Sequence, residues 1–172
     1  MKTKYNQYSV VGKVWTICEM FYMGVRDVKP AYILATNRKL EELQTEVKNS
    51  NAVKDHSFEC LLDCVDKVLE SCRDNGTVKG FIYDGSVVST VWYNCLAYNE
   101  IKNKAKNETL TEEDVDALNK LLSEISRLRI KDLKERTLSS LERKDLFMIK
   151  KEITAFADKL DTKIRHKHIT LN

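Results

Sequence analysis

The chain is expected to fold as an all-α, single-domain bundle of about six helices, closed by a long antiparallel hairpin at its C-terminal end. Three observations predict this. Apolar residues recur at intervals of three and four along almost the whole length. The 172 residues include one proline and five glycines, so few positions force the backbone out of a helix. Hydrophobic residues make up 42% and charged residues 32%, ordinary globular composition for a length that suits one core better than two.

The first helix covers 9–24. Val11, Val14, Trp15, Cys18, Phe21 and Tyr22 fall on one arc at about 100° per residue. Gly24 is its expected stop, and Pro30 suits the opening turn of the next helix. That helix, 30–49, carries Ile33, Thr36, Leu40, Leu43 and Val47 as its inward stripe, and 49–55 is a polar break. A third helix follows in HSFECLLDCVDKVLESC, 56–72, ending near Gly76. Three of the five glycines lie in 76–86, where Asp84-Gly85 gives turn chemistry for a short extended segment or hairpin. The spacing of a phosphate-binding glycine loop is absent there.

Ser86 caps a fourth helix reaching about residue 106, with Val87, Val91, Trp92, Cys95 and Tyr98 inward. The stretch 102–110, KNKAKNETL, is the one candidate boundary within the 1–172 domain, between a helical body and the hairpin. Thr111 opens the fifth helix, and Glu112, Glu113 and Asp114 suit the positive end of its dipole. Its expected stripe is Val115, Leu118, Leu122, Ile125 and Leu133. Ser139-x-x-Glu142 matches a capping box for the last helix, whose stripe is Leu146, Ile149, Ile153, Ala157, Leu160 and Ile164. Two helices of about 25 residues, each about 40 Å long at about 1.5 Å per residue, joined by RTLSS, make an antiparallel hairpin.

Several functions are set aside by chemistry. No apolar run is long enough to span a bilayer, and the start of the chain lacks the pattern of a secretory signal. The expected location is the cytoplasm, with no membrane partner and the five cysteines as thiols. His56, Cys60 and Cys64 fall four apart, which suggests coordination. On a helical wheel they lie at about 0°, 40° and 80°, with Cys72 at about 160° and the apolar face centred near about 170°. One straight helix brings two such ligands together, and a closed zinc site needs four. Core thiols, with Cys60 at the exposed edge, are expected in place of a metal site. A nucleophilic Cys60 would have His56 one turn away, but Glu59 and Asp63 flank it and disfavour a thiolate. Glu41-Glu42 and Glu112-Glu113 lie on charged faces that suit solvent better than acid–base work. No catalytic residue, cofactor or metal is assigned.

Two features remain. Residues 127–172 hold 13 Lys+Arg against 7 Asp+Glu, whereas 1–126 hold 16 against 19. Apolar residues also stand off the main stripes: Met20, Met23, Tyr93, Ile130, Phe147 and Met148. Ile130 lies about 130° from the centre of its stripe. A hairpin apolar on two faces packs on two sides. The expectation is therefore a non-enzymatic interaction protein that binds another protein or self-associates, with Ile130, Phe147, Met148 and Cys60 as candidate contact residues. The alternative is a nucleic-acid-binding accessory protein using Lys163, Arg165, His166, Lys167 and His168, although no aromatic residue interleaves that tail for base stacking.

Overall fold

A computed structural model describes residues 9–48, 58–70, 86–136 and 138–171, with side chains for 9–47, 58–69, 86–136 and 138–161. The chain is all-α. Its helices are α1 (Val10–Arg26), α2 (Pro30–Lys48), α3 (Glu59–Glu70), α4 (Val87–Lys106), α5 (Glu112–Glu135) and α6 (Ser140–Leu171), and no strand occurs among the described residues. His56, Cys72 and the glycine-bearing stretch 76–85 lie outside the described residues.

Helix starts follow the local chemistry closely. Ser9 Oγ accepts the Gly12 N–H at 3.1 Å, and Ser86 Oγ accepts the Ser89 N–H at 3.3 Å. Each such cap contributes about 1 kcal/mol. At the start of α5 the Thr111 N–H donates to Asp114 Oδ2 at 2.9 Å, completing a capping box. At the start of α6 the expected box is only half made. Ser139 Oγ accepts the Glu142 N–H at 3.3 Å, but the Glu142 carboxylate reaches across to the Val10 N–H, also at 3.3 Å. Glu142 therefore ties the start of α6 to the start of α1. Burial pushes its carboxyl above the ordinary value, and the Val10 N–H pulls the other way.

Helix ends depart from expectation. Gly24 does not stop α1, which continues through Arg26. The left-handed residue is Val28, at φ 52°. Around it the Lys29 N–H donates to Gly24 O at 2.8 Å and the Val28 N–H to Val25 O at 3.4 Å, the bond pair of a Schellman motif. α4 closes in the same way at Glu108, φ 55°, with the Thr109 N–H on Lys104 O at 3.0 Å. α5 ends at Arg136, φ 48°, whose N–H donates to Asp132 O at 2.7 Å.

The helices pack as two four-membered rings that share a wall. α1 packs on α2, α2 on α3, α3 on α4 and α4 on α1; α1 also packs on α6, α6 on α5 and α5 on α4. The α1–α4 pair is common to both rings. At this wall Phe21 and Trp92 stack with centroids 5.2 Å apart, and Trp15 and Tyr98 at 6.0 Å. The Cys18 thiol donates to Trp92 O and the Cys95 thiol to Trp15 O, each at 3.5 Å. Burial raises the Cys18 thiol well above its ordinary value and raises that of Cys95 as well. One continuous apolar cluster draws on each of the six helices among the described residues.

Its place in both rings explains why α4 shows so little amphipathic pattern. Beyond the expected Val87, Val91, Trp92, Cys95 and Tyr98, it also buries Ser89, Thr90 and Asn94. Asn94 is 0% exposed, and neither polar atom of its amide has a hydrogen-bond partner among the described residues. An unsatisfied buried polar group costs about 1–3 kcal/mol. Asn94→Leu, which keeps the branch point at Cγ, is expected to stabilise the protein by about 1–2 kcal/mol after some overpacking. Denaturant unfolding would show a raised midpoint at unchanged slope. A loss of stability would mean that the amide is satisfied in solution.

Candidate functional site

The α5–α6 junction is built around Asp132, a buried aspartate one turn before the end of α5. Its Oδ1 accepts the Leu138 N–H at 2.8 Å, and its Oδ2 accepts Arg143 Nε at 2.6 Å. Its own carbonyl takes the Arg136 N–H. One residue thus fixes the end of α5, the turn and the first turns of α6.

That junction aligns two helical faces. Ser126, Arg129, Ile130 and Leu133 on α5 follow i, i+3, i+4, i+7, as do Arg143, Leu146, Phe147 and Lys150 on α6. This spacing gathers each quartet on one side of its helix. Between them runs a groove of about 310 Å³ lined by both helices and by Leu138 of the turn. Ile130 is 55% exposed, Leu133 78% and Phe147 51%. The Arg129 guanidinium lies 5.5 Å from the centre of the Phe147 ring, a cation–π contact from α5 to α6. Leu146 is fully buried beneath.

The charge around the groove is one-sided. Residues 126–150 hold eight Lys/Arg and four Asp/Glu. Three of those four acids, Asp132, Glu142 and Asp145, are buried, and Glu135 is exposed. The solvent side of the hairpin tip is therefore strongly cationic.

Of the off-stripe residues, Ile130 lines this groove, and Phe147 lies exposed beside it under the Arg129 guanidinium. Met148 is exposed but lies about 100° around α6 from Phe147, so it does not line the groove. Cys60 departs from expectation. It is half-buried on α3, packed against the core, and α3 packs on α2 and α4. Cys64 is buried, and burial pushes its thiol up to about 11. Cys60 differs because α3 packs on two helices, so its apolar arc is wider than a wheel of the isolated segment shows. α6 continues to Leu171 through Lys163, Arg165, His166, Lys167 and His168, whose side chains lie outside the described residues.

Leu133 is the groove residue that sequence patterning placed in the core. Arg129, Arg143 and Lys150 belong to the basic segment 127–172, whose charge count gives them no position at a groove.

Elsewhere the chemistry is structural. A hollow of about 280 Å³ between α1, α4 and α5 includes Tyr22, Glu100, Lys104 and Asp114. Lys104 Nζ donates to Asp114 Oδ1 at 3.2 Å. Burial pushes the Asp114 carboxyl up, but the Thr111 N–H, Lys104 and the Thr111 hydroxyl outweigh it and hold it below the ordinary value. Burial, with Glu100 adding, raises the Tyr22 phenol to about 12, so it keeps its proton near neutral pH. No group of three or more His, Cys, Asp or Glu able to hold a metal occurs among the described residues. No described helix is long and apolar enough to cross a membrane. A second set of exposed apolar side chains, Met23, Val28 and Tyr32, sits at the α1–α2 corner. Comparison with protein-family models, curated proteins and solved structures found no match.

Proposed function

We propose that the chain is a protein-binding module that receives its partner in the α5–α6 groove. The supporting observation is the meeting of exposed Ile130 and Leu133 with Leu138 and Leu146 around one hollow, with Phe147 exposed beside it against Arg129. Exposed apolar residues scattered singly are ordinary on a protein surface. Several gathered on facing helices around a groove, and rimmed by charge, mark an interaction site. The floor of Leu138 and Leu146 is already held by the core, so little ordering cost is left for binding.

A photo-cross-linking amino acid at position 130, with Leu34 on α2 as an equally exposed control, tests this in a lysate of the cells that make the protein. A discrete protein adduct is expected from position 130 and none from position 34. An adduct of twice the chain's mass would identify self-association. No adduct at 130 or 147, together with a monomer by sedimentation, would sink the reading.

The cationic hairpin favours a second reading, contact with nucleic acid. It expects binding that falls steeply with salt and disappears when residues 163–172 are removed.

A further inference from the structure

The charge around the groove selects among occupants. We infer that the α5–α6 groove takes an acidic amphipathic helix from a partner protein, with apolar side chains on the groove floor and Asp or Glu residues against its cationic rim. This rests on the reading of the groove as a protein-docking site and specifies the partner's chemistry.

The dimensions come from the two facing quartets. Each spans eight residues, 126–133 and 143–150, which is about two turns or about 11 Å. A groove between two helices is the standard receiver for a third, read through apolar anchors at i, i+3 or i+4, and i+7. A hollow of about 310 Å³ sits at the low end of the about 300–1,000 Å³ of small-molecule pockets. Its apolar lining is the exposed Ile130 and Leu133 over the buried Leu138 and Leu146, so it is shaped to receive side chains from a neighbouring segment.

The rim decides the sign. Arg129 and Lys150 have no ion-pair partner among the described residues, and Arg143 gives its Nε to Asp132 while remaining exposed. Of the nearby acids, Glu142 turns inward to Val10, while Asp132, which also borders the groove, pairs with Arg143 and with the turn, so the rim charge left over is that of Arg129 and Lys150. A basic or neutral apolar helix would leave these cations facing an apolar or like-charged neighbour, whereas Asp or Glu on the flanks of a docked helix would meet them. Nucleic acid satisfies the rim but places phosphates against Ile130 and Leu133, which it cannot use.

The test uses the full chain and three fluorescent peptides of about 18 residues, long enough to be helical. One has Leu and Phe at i, i+3, i+4 and i+7 with Glu elsewhere. The second replaces every Glu by Gln, and the third scrambles the acidic sequence. Anisotropy titrations are expected to show saturable binding of the acidic amphipathic peptide alone. Binding should weaken between about 0.1 and about 1 M salt, where the Debye length falls from about 10 to about 3 Å. Lys150→Glu and Arg129→Glu should each weaken it about tenfold, and Ile130→Ala about thirtyfold. These residues are at least partly solvent-exposed, so thermal melts should stay near that of the parent and separate lost binding from lost folding.

Equal binding of the Glu and Gln peptides, insensitive to salt, overturns the acidic partner and leaves the groove as an apolar docking site. Failure of all three peptides while the cross-link from position 130 persists overturns the inference alone. Failure of both removes the docking reading as well. Single-stranded DNA, anionic phosphatidylserine vesicles or a second copy of the chain, bound in a manner that Lys150→Glu abolishes while the acidic peptide fails, would each assign the rim to a different partner and overturn it.

Discussion

Asp132→Ala is expected to lower the stability of the protein by about 2–4 kcal/mol. The carboxylate takes two charge-assisted bonds, from the Leu138 N–H at 2.8 Å and from Arg143 Nε at 2.6 Å. Such bonds contribute about 1.5–3 kcal/mol each when buried. The part that belongs to Arg143 is discounted because that side chain is exposed to solvent. Alanine also brings gains. It is the better helix former, and it removes a negative charge near the negative end of the α5 dipole, where an acid costs about 0.3–1 kcal/mol. The loss still wins, because the Leu138 N–H is left buried without an acceptor. In a chain of this size the change lowers the melting temperature by about 5–15 °C. Asp132→Asn keeps an acceptor for Leu138 and is expected to lose less than half as much. Thermal unfolding followed by circular dichroism measures both. An alanine variant within about 0.5 kcal/mol of the parent would show that the turn is held by packing instead. The same substitution frees the α5–α6 junction, so peptide binding in the groove should fall even below the melting transition.

Asp132 also shows what patterning could and could not reveal about this chain. The buried row of α5 is Asp114, Leu118, Leu121, Ile125, Leu128 and Asp132. It steps by three and four, as an inward row must, but it begins and ends on aspartate. Apolar patterning shifts the row toward Val115, Leu122 and Leu133, because two of its true members are charged. Leu133 then falls in the core on the wheel and at 78% exposure in the structure. Whether an aspartate is buried depends on its partners, here Thr111 and Lys104 at one end and Leu138 and Arg143 at the other. Two of those partners belong to elements that only the fold brings close. Ile130 and Phe147 were legible for the opposite reason: each stands so far off its own stripe that no modest rotation buries it. The all-α class and the hairpin follow from local periodicity and scarce punctuation. The sharing of α1 and α4 between two rings does not, because it depends on which stripes meet.

The two glycine-sensitive positions of the α1–α2 corner should respond with opposite signs. Gly24 lies inside α1, where alanine would ordinarily gain about 1 kcal/mol. A Cβ there would sit 2.9 Å from Tyr32 Cβ, 3.2 Å from Ile33 Cγ1 and 3.4 Å from the Ile33 nitrogen. Tyr32 Cβ is fixed to its backbone and Ile33 is buried, so the first turn of α2 must move. Overpacking of this kind costs about 1–3 kcal/mol, and rigid neighbours place this site at the upper end. Gly24→Ala is therefore expected to destabilise by about 2 kcal/mol net. Val28 is the reverse case: a β-branched residue at φ 52°, in a conformation that costs an L-residue about 1–2 kcal/mol. Val28→Gly should remove that strain, lose part of the gain to unfolded-chain entropy, and stabilise by about 0.5–1 kcal/mol. The two positions share one motif through the Lys29 N–H on Gly24 O, so their effects should be measured singly before they are combined. A stabilising Gly24→Ala would mean that α2 can retreat from α1 at no cost, and the close crossing at this corner would then owe nothing to the glycine.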